Sequence, residues 1–233
     1  MMKALRVFIG VVMVLSAAGS LVLLGLANPI WKWGAVVIAF CFWVAALSKA
    51  FYLKLNTLRG KFHVILSAGA LTFGIAIIVG LVSQTPEYIF GVHYLARLIF
   101  MLAVFMMLVG LMKQGYTLSV GNWVQVLVVF AILAAIGLWL FHNLYGGATV
   151  LISILVYSSL FIMLETLAVV RVYLGSDLGW RWTAGALSVI CITIGDMGMA
   201  YSATSGLAAW EIVQYLGWSA LSVIMCIISL MWD

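Results

Sequence analysis

The chain has 233 residues, 67% of them hydrophobic and only 7% charged, with a mean hydropathy of +1.28. Soluble domains carry about 25% charged and about 45–50% apolar residues, so a water-soluble fold is excluded; two prolines and the lack of a polar low-complexity tract exclude a disordered chain. The net charge of +5 is not a nucleic-acid signal, because most of the cations fall in short segments between apolar runs. These properties predict an all-α polytopic membrane protein.

Eight apolar runs of 21 to 25 residues follow one another along the chain. Each is long enough to cross about 30 Å of hydrocarbon at about 1.5 Å per residue. The first, 4–26, has Lys3 and Arg6 at its start and Gly25-Leu26-Ala27 across its end. That layout resembles a signal peptide, but the run is longer than the 7–15 residues of a signal core. Asn28-Pro29 leads into 30–52, which carries Lys49 near its end, and Asn56 with Gly60 precedes 62–82. Gln84-Thr85-Pro86 opens onto 89–112, which contains His93, Tyr94 and Arg97. Gly121-Asn122 precedes 123–144, with His142 near its end, and Gly146-Gly147 precedes 148–170, which holds Ser158 and Glu165. A glycine-bounded turn at 175–179 leads to 182–204, with Ser188, Thr193 and Asp196, and Ser205-Gly206 to 207–231, with Gln214 and Tyr215. Trp31, Trp33, Trp123, Trp180, Trp182, Trp210 and Trp232 fall at span ends, as an aromatic belt requires.

The cations set the expected orientation. Lys3, Arg6, Lys54, Arg59, Lys61, Lys113, Arg171 and Arg181 lie on the side of the N-terminus, and Lys32 alone on the other. This bias over short loops places both termini in the cytoplasm, and the expected setting is a prokaryotic cytoplasmic membrane.

The two halves, 1–116 and 117–233, read as a duplication. Ala68-Gly69-Ala70-Leu71 recurs as Ala184-Gly185-Ala186-Leu187, Leu15-Ser16-Ala17-Ala18-Gly19 is echoed by Leu133-Ala134-Ala135-Ile136-Gly137, and Tyr94-Leu95 by Tyr215-Leu216. The matches keep their order, one per equivalent span. Four spans per repeat is an even number, so the expected arrangement is a parallel 4+4 bundle about an axis along the membrane normal. Gly19, Gly69, Gly137 and Gly185 are expected to allow close helix approach.

Charges inside spans are the main functional evidence, since each costs at least about 2.5–3.5 kcal/mol at a helix centre. Arg97 and Asp196 each lie 8 residues in from the same edge, about 12 Å deep. Lys49 and Glu165 lie at similar depth near the opposite edge, and an offset of 116 relates them. Depth and opposite sign predict two ion pairs, Arg97–Asp196 and Lys49–Glu165, with headgroup snorkelling as the alternative for Lys49. Helical spacing adds His93, Tyr94 and Thr193 to the first pair, and the repeat adds Gln214 and Tyr215 as counterparts of His93 and Tyr94, making a polar cluster with Glu87, Glu211 and His142 near its mouth.

No complete catalytic motif is present: H-E-x-x-H, G-x-S-x-G and P-loop patterns do not occur. Cys41, Cys191 and Cys226 have no metal or disulfide spacing. The three histidines lie at unmatched depths, which excludes a bis-His haem and the repeated histidines of the haem A synthase architecture. The last span has no lysine for a retinal. No cofactor, metal or nucleic acid is therefore expected.

Val156-Tyr157 to Met163, Ala184-Gly185-Ala186-Leu187 and Gly195-Asp196 followed by Ala200 partly resemble the second half of the lysoplasmalogenase (YhhN-type) family. That resemblance implies eight spans and lipid hydrolysis by aspartates in two helices. Only Asp196 matches here, since Gly80 stands at its first-half equivalent. Gly195-Asp196 with Tyr201 and Trp210 also resembles membrane sensor regions that precede diguanylate cyclase domains. The expectation is a non-enzymatic protein of the bilayer: a ligand-binding sensor, a small-solute transporter, or a subunit beside other membrane proteins. An intramembrane lipid hydrolase is the alternative.

Overall fold

The computed structural model describes residues 2–83, 85–144 and 150–231. All regular structure among them is helical: α1 (Met2–Gly25), α2 (Trp33–Tyr52), α3 (Leu58–Val82), α4 (Pro86–Lys113), α5 (Val120–Leu144), α6 (Val150–Tyr173), α7 (Gly179–Ser205) and α8 (Ala208–Leu230), with one short 3-10 turn at Pro29–Lys32. Eight of these helices are long and apolar enough to cross a membrane, which fits an integral membrane protein. In hydrocarbon every backbone N–H and C=O must be satisfied within the chain, and helices do this locally. The separator Gly146-Gly147, the first two residues of the expected sixth span and Trp232 lie outside the described residues, as do the side chains of Glu87 and His142.

Local chemistry sets the helix ends. The Asn28 side chain accepts from Ile30 N at 3.0 Å and starts the 3-10 turn. Thr57 caps α3 by accepting from Gly60 N at 2.9 Å. Gly206 ends α7 at φ +68°, a left-handed position that glycine takes without a Cβ penalty. The junction at Ser205-Gly206 thus marks a true break between two spans.

The helices form a continuous bundle. α2 packs on α3, α3 on α4, α6 on α7 and α7 on α8, while α4 meets α6 and α2 meets α8 across the centre. α1 and α5 lie at the periphery, on α2 and α6 respectively. Their outward apolar residues, such as Phe8, Leu15, Val128 and Trp139, are exposed and face lipid. At one end of the bundle, Lys49 Nζ, near the end of α2, donates to the Met231 carbonyl just past α8.

Glycine lets α7 and α8 cross backbone against backbone. A Cβ at Gly198 would meet the Gln214 backbone N at 2.5 Å, and one at Gly217 would meet the Cys191 carbonyl and Gly195 N at 2.7 Å. A Cβ at Gly195 would strike the Trp218 ring at 2.4 Å. Of the four glycines expected from the repeat, only Gly69 is tight, against the Phe100 ring at 2.6 Å. Gly19 and Gly185 face open space and Gly137 makes ordinary contact. The repeat pattern located small residues, but close approach requires backbone against backbone, which occurs at Gly198 and Gly217.

Gly198→Ala and Gly217→Ala should each lower stability by about 1–3 kcal/mol, the usual cost of overpacking. Gly19→Ala should be neutral or mildly stabilising, because Ala favours the helix and meets nothing. Thermal unfolding of the purified variants in detergent checks both expectations.

Candidate functional site

The α7–α8 crossing sets the position of the most polar point in the interior. Gly195 precedes Asp196 and Gly217 precedes Trp218, so the two close-packed backbones place a carboxylate beside an indole. Trp218 Nε1 donates to Asp196 Oδ1 at 3.0 Å. From α4, Arg97 forms a bidentate pair with the same carboxylate: Nε to Oδ2 at 3.0 Å and Nη2 to Oδ1 at 2.5 Å. From α6, Ser159 Oγ donates to Oδ2 at 3.0 Å. A carboxylate has about four acceptor positions, and four donors from three helices fill them. Arg97 and Asp196 both have zero exposure.

Aromatic rings enclose this node. The Arg97 guanidinium lies 5.1 Å from the centre of the Phe73 ring, a cation–π contact strengthened by the lack of water. His93 stacks on Trp218 at 4.4 Å, and Phe73 meets both rings edge-on at 5.9 and 5.8 Å. The packing continues through Tyr215, which is 5.6 Å from Trp218 and 5.4 Å from Trp31. It ends at Lys32, 5.9 Å from the Tyr215 ring centre and paired with Glu211 at 2.5 Å. Both His93 nitrogens and Arg97 Nη1 are buried without a hydrogen-bond partner among the described residues.

The structure brings together Arg97 and Asp196 as depth and sign predicted, and it places His93 and Tyr215 against them through Trp218. Other expected members lie elsewhere. Tyr94 is 37% exposed. At about 100° per residue it sits round the helix from His93 and Phe100, which face inward. Thr193 turns back onto its own helix, donating to the Val189 carbonyl at 2.9 Å, and Gln214 is buried beside Gly198. The expected Lys49–Glu165 pair does not form. Lys49 donates to Met231, whereas both Glu165 carboxyl oxygens are buried without a hydrogen-bond partner among the described residues. Depth gave these two residues similar heights, but α2 packs on α1, α3 and α8, and α6 on α4, α5 and α7.

Sequence reasoning missed Ser159, Phe73 and Trp218. Trp218 did carry a signal. It lies inside a span rather than at its end, and a buried indole N–H needs an acceptor.

A second feature lies at the end of the bundle where α2 and α8 finish. A cavity of about 110 Å³ is lined there by Lys49, Arg59, His63 and Arg181 together with apolar residues. It shares Phe62, Leu66, Trp182, Gly185 and Met225 with a second, apolar cavity of about 50 Å³ that reaches Phe42, Phe100 and Leu221. No group of three or more His, Cys, Asp and Glu among the described residues could hold a metal.

Comparison with family models, curated proteins and solved structures found no match to this chain. The lysoplasmalogenase and sensor-region resemblances therefore rest on their short motifs alone.

Asp196→Asn should lower stability by about 3–5 kcal/mol, because it leaves the guanidinium buried without its counter-charge. Combining it with Arg97→Gln should recover part of that loss, which a double-mutant cycle measures. Trp218→Phe keeps much of the ring packing but removes one of the four donors. It should cost about 1–3 kcal/mol in thermal or denaturant unfolding.

Proposed function

We propose that this chain is a non-enzymatic protein of the membrane, a ligand-binding sensor, a small-solute transporter or a membrane subunit of a complex, and that Arg97–Asp196 locks its helices. The observation that carries this reading is the saturated Asp196 carboxylate. A hydrolytic aspartate must offer an oxygen to water or substrate. Here both oxygens are taken by Arg97, Ser159 and Trp218, in a place with zero exposure. A lipid hydrolase of the two-aspartate kind also lacks its second acid, since Gly80 occupies the equivalent position.

We further propose a parallel 4+4 repeat with both termini cytoplasmic. The packing supports the repeat: α1 on α2, α2 on α3 and α3 on α4 have counterparts in α5 on α6, α6 on α7 and α7 on α8. The two central contacts, α2 with α8 and α6 with α4, exchange under the same operation, as a twofold axis along the membrane normal requires. The cation bias supports the orientation.

Two experiments test these readings. The purified protein, wild type and Asp196→Asn, is incubated with lysoplasmalogen and lysophosphatidylethanolamine, and released aldehyde, fatty acid and headgroup are measured. No Asp196-dependent release is expected, and release that disappears in the variant would establish the hydrolase. Single cysteines at Gly121 and Gly206, in a background without native cysteines, should be labelled by an impermeant maleimide from opposite sides. Labelling of both from one side would overturn the assigned topology.

A further inference from the structure

We infer that the apolar cavity inside the bundle is an occluded binding chamber for a small neutral molecule with an apolar body of about six carbons, and that Phe62 and Trp182 form its gate. This deepens the ligand-binding sensor reading above and rests on it.

Three observations carry the inference. First, the architecture sets the chamber. α2, α3, α4, α6, α7 and α8 pack in that order into a closed ring, since α8 returns to α2. Each of the six contributes to the wall of the apolar cavity of about 50 Å³, through Phe42, Leu66, Val104, Ile162, Val189 and Leu221 respectively. A packing gap between two neighbouring helices would be lined by those two. Second, aromatic rings close both ends. Phe62, near the start of α3, meets Trp182, near the start of α7, with ring centres 5.4 Å apart. Both residues also line the outer cavity of about 110 Å³, which extends to the exposed Arg59, so this pair stands between the chamber and the end of the bundle. Tyr173 of α6 stacks on Trp182 at 5.9 Å and braces the indole. On the opposite side Phe100, in the chamber wall, meets Phe73 at 6.4 Å, and Phe73 covers Arg97, so the chamber stops at the node. Third, the wall chemistry selects against charge. No charged residue is among the described residues that line the chamber. Its two hydroxyls already donate within their own helices, Thr166 to the Ile162 carbonyl at 2.7 Å and Ser188 to the Gly185 carbonyl at 2.6 Å. An ion entering there would lose its hydration without a replacing partner, whereas an apolar body loses nothing. Apolar cavities of this kind stay dry, and one of about 150 Å³ admits benzene. The chamber and the outer cavity, joined past Trp182, reach about that size.

A neutral six-carbon ring is the matching probe. Fluorobenzene titrated onto the protein in phosphatidylcholine nanodiscs should give a saturable, protein-bound fluorine resonance beside the lipid-dissolved signal, which grows linearly. Toluene should displace it. Benzoate and benzylamine, which carry the same ring with a charge of either sign, should not.

Four variants locate the chamber and its gate without touching the Asp196 node. Gly185→Leu places a side chain where an added Cβ meets nothing within 4 Å, on the wall shared by both cavities, and Val104→Phe fills the chamber from α4. Each should weaken fluorobenzene binding at least tenfold. Trp182→Ala and Phe62→Ala each remove one half of the gate and should speed exchange between bound and free fluorobenzene at least tenfold. The thermal unfolding midpoint without ligand reports whether each variant folds, and one folded variant of each kind suffices. A lipid-dissolved signal alone, full binding in a folded filling variant, equal displacement by benzoate or benzylamine, or unchanged exchange in a folded gate variant would overturn the proposal. Asp196-dependent lipid hydrolysis, measured separately, would instead defeat the non-enzymatic reading, so the two failures are distinguishable.

Discussion

A charge in hydrocarbon has no water to fall back on, and the interior of this bundle is arranged around that constraint. Arg97 and Asp196 can be buried only because the guanidinium fork matches the carboxylate and the remaining acceptor positions receive Ser159 and Trp218. Such a pair contributes little net stability compared with well-packed apolar residues, yet it strongly penalises any arrangement that separates its members. The node therefore acts on specificity. It selects the one rotation of α4, α6, α7 and α8 in which all four donors converge. Helix packing without a hydrophobic driving force between helices depends on such polar contacts and on small residues, and Gly195, Gly198 and Gly217 supply the second element next to the first.

The coarse architecture was legible in the sequence because the bilayer imposes a length. Eight runs of sufficient apolar length became eight helices, and Gly206 and Asn28 ended or began helices for local reasons visible in the residues themselves. The Arg97–Asp196 pair was also legible, since only these two opposite charges share a depth in that half of the bundle. Depth fixes height along the axis but not rotation about it. That distinction explains Tyr94, which has the right height and the wrong azimuth. It also explains Lys49 and Glu165, on helices with separate sets of neighbours. Ser159 and Phe73 were not legible, because a serine or phenylalanine in an apolar helix looks the same whether it faces lipid, its own backbone or a buried ion.

The described salt bridges share a further property. Arg97 belongs to the first half of the chain, and Asp196, Ser159 and Trp218 to the second. Lys32 in the first half meets Glu211 in the second, and Lys49 in the first meets Met231 in the second. Both described salt bridges thus sit where the halves meet, whereas Arg171 bonds Asn122 and Gln125 within the second half. Apolar packing between helices tolerates sliding, since one methyl replaces another at small cost. A bidentate pair does not, so these contacts set the register between the halves.

This placement bears on what kind of motion the protein can use. At the Lys32 end, each cation of the node and the mouth has its carboxylate, and Trp31, Tyr215, Trp218, His93 and Phe73 fill the space between them. At the other end, Lys49, Arg59 and Arg181 border an open cavity, with Lys49 donating to the Met231 carbonyl. A solute entering from that end meets apolar walls and then the sealed node. Passage across the bundle would require the halves to part and the four-donor arrangement at Asp196 to break. Binding at one end requires neither. In this conformation the node closes the centre of the bundle, and any passage across it would need a second arrangement of the halves in which Arg97 and Asp196 find other partners.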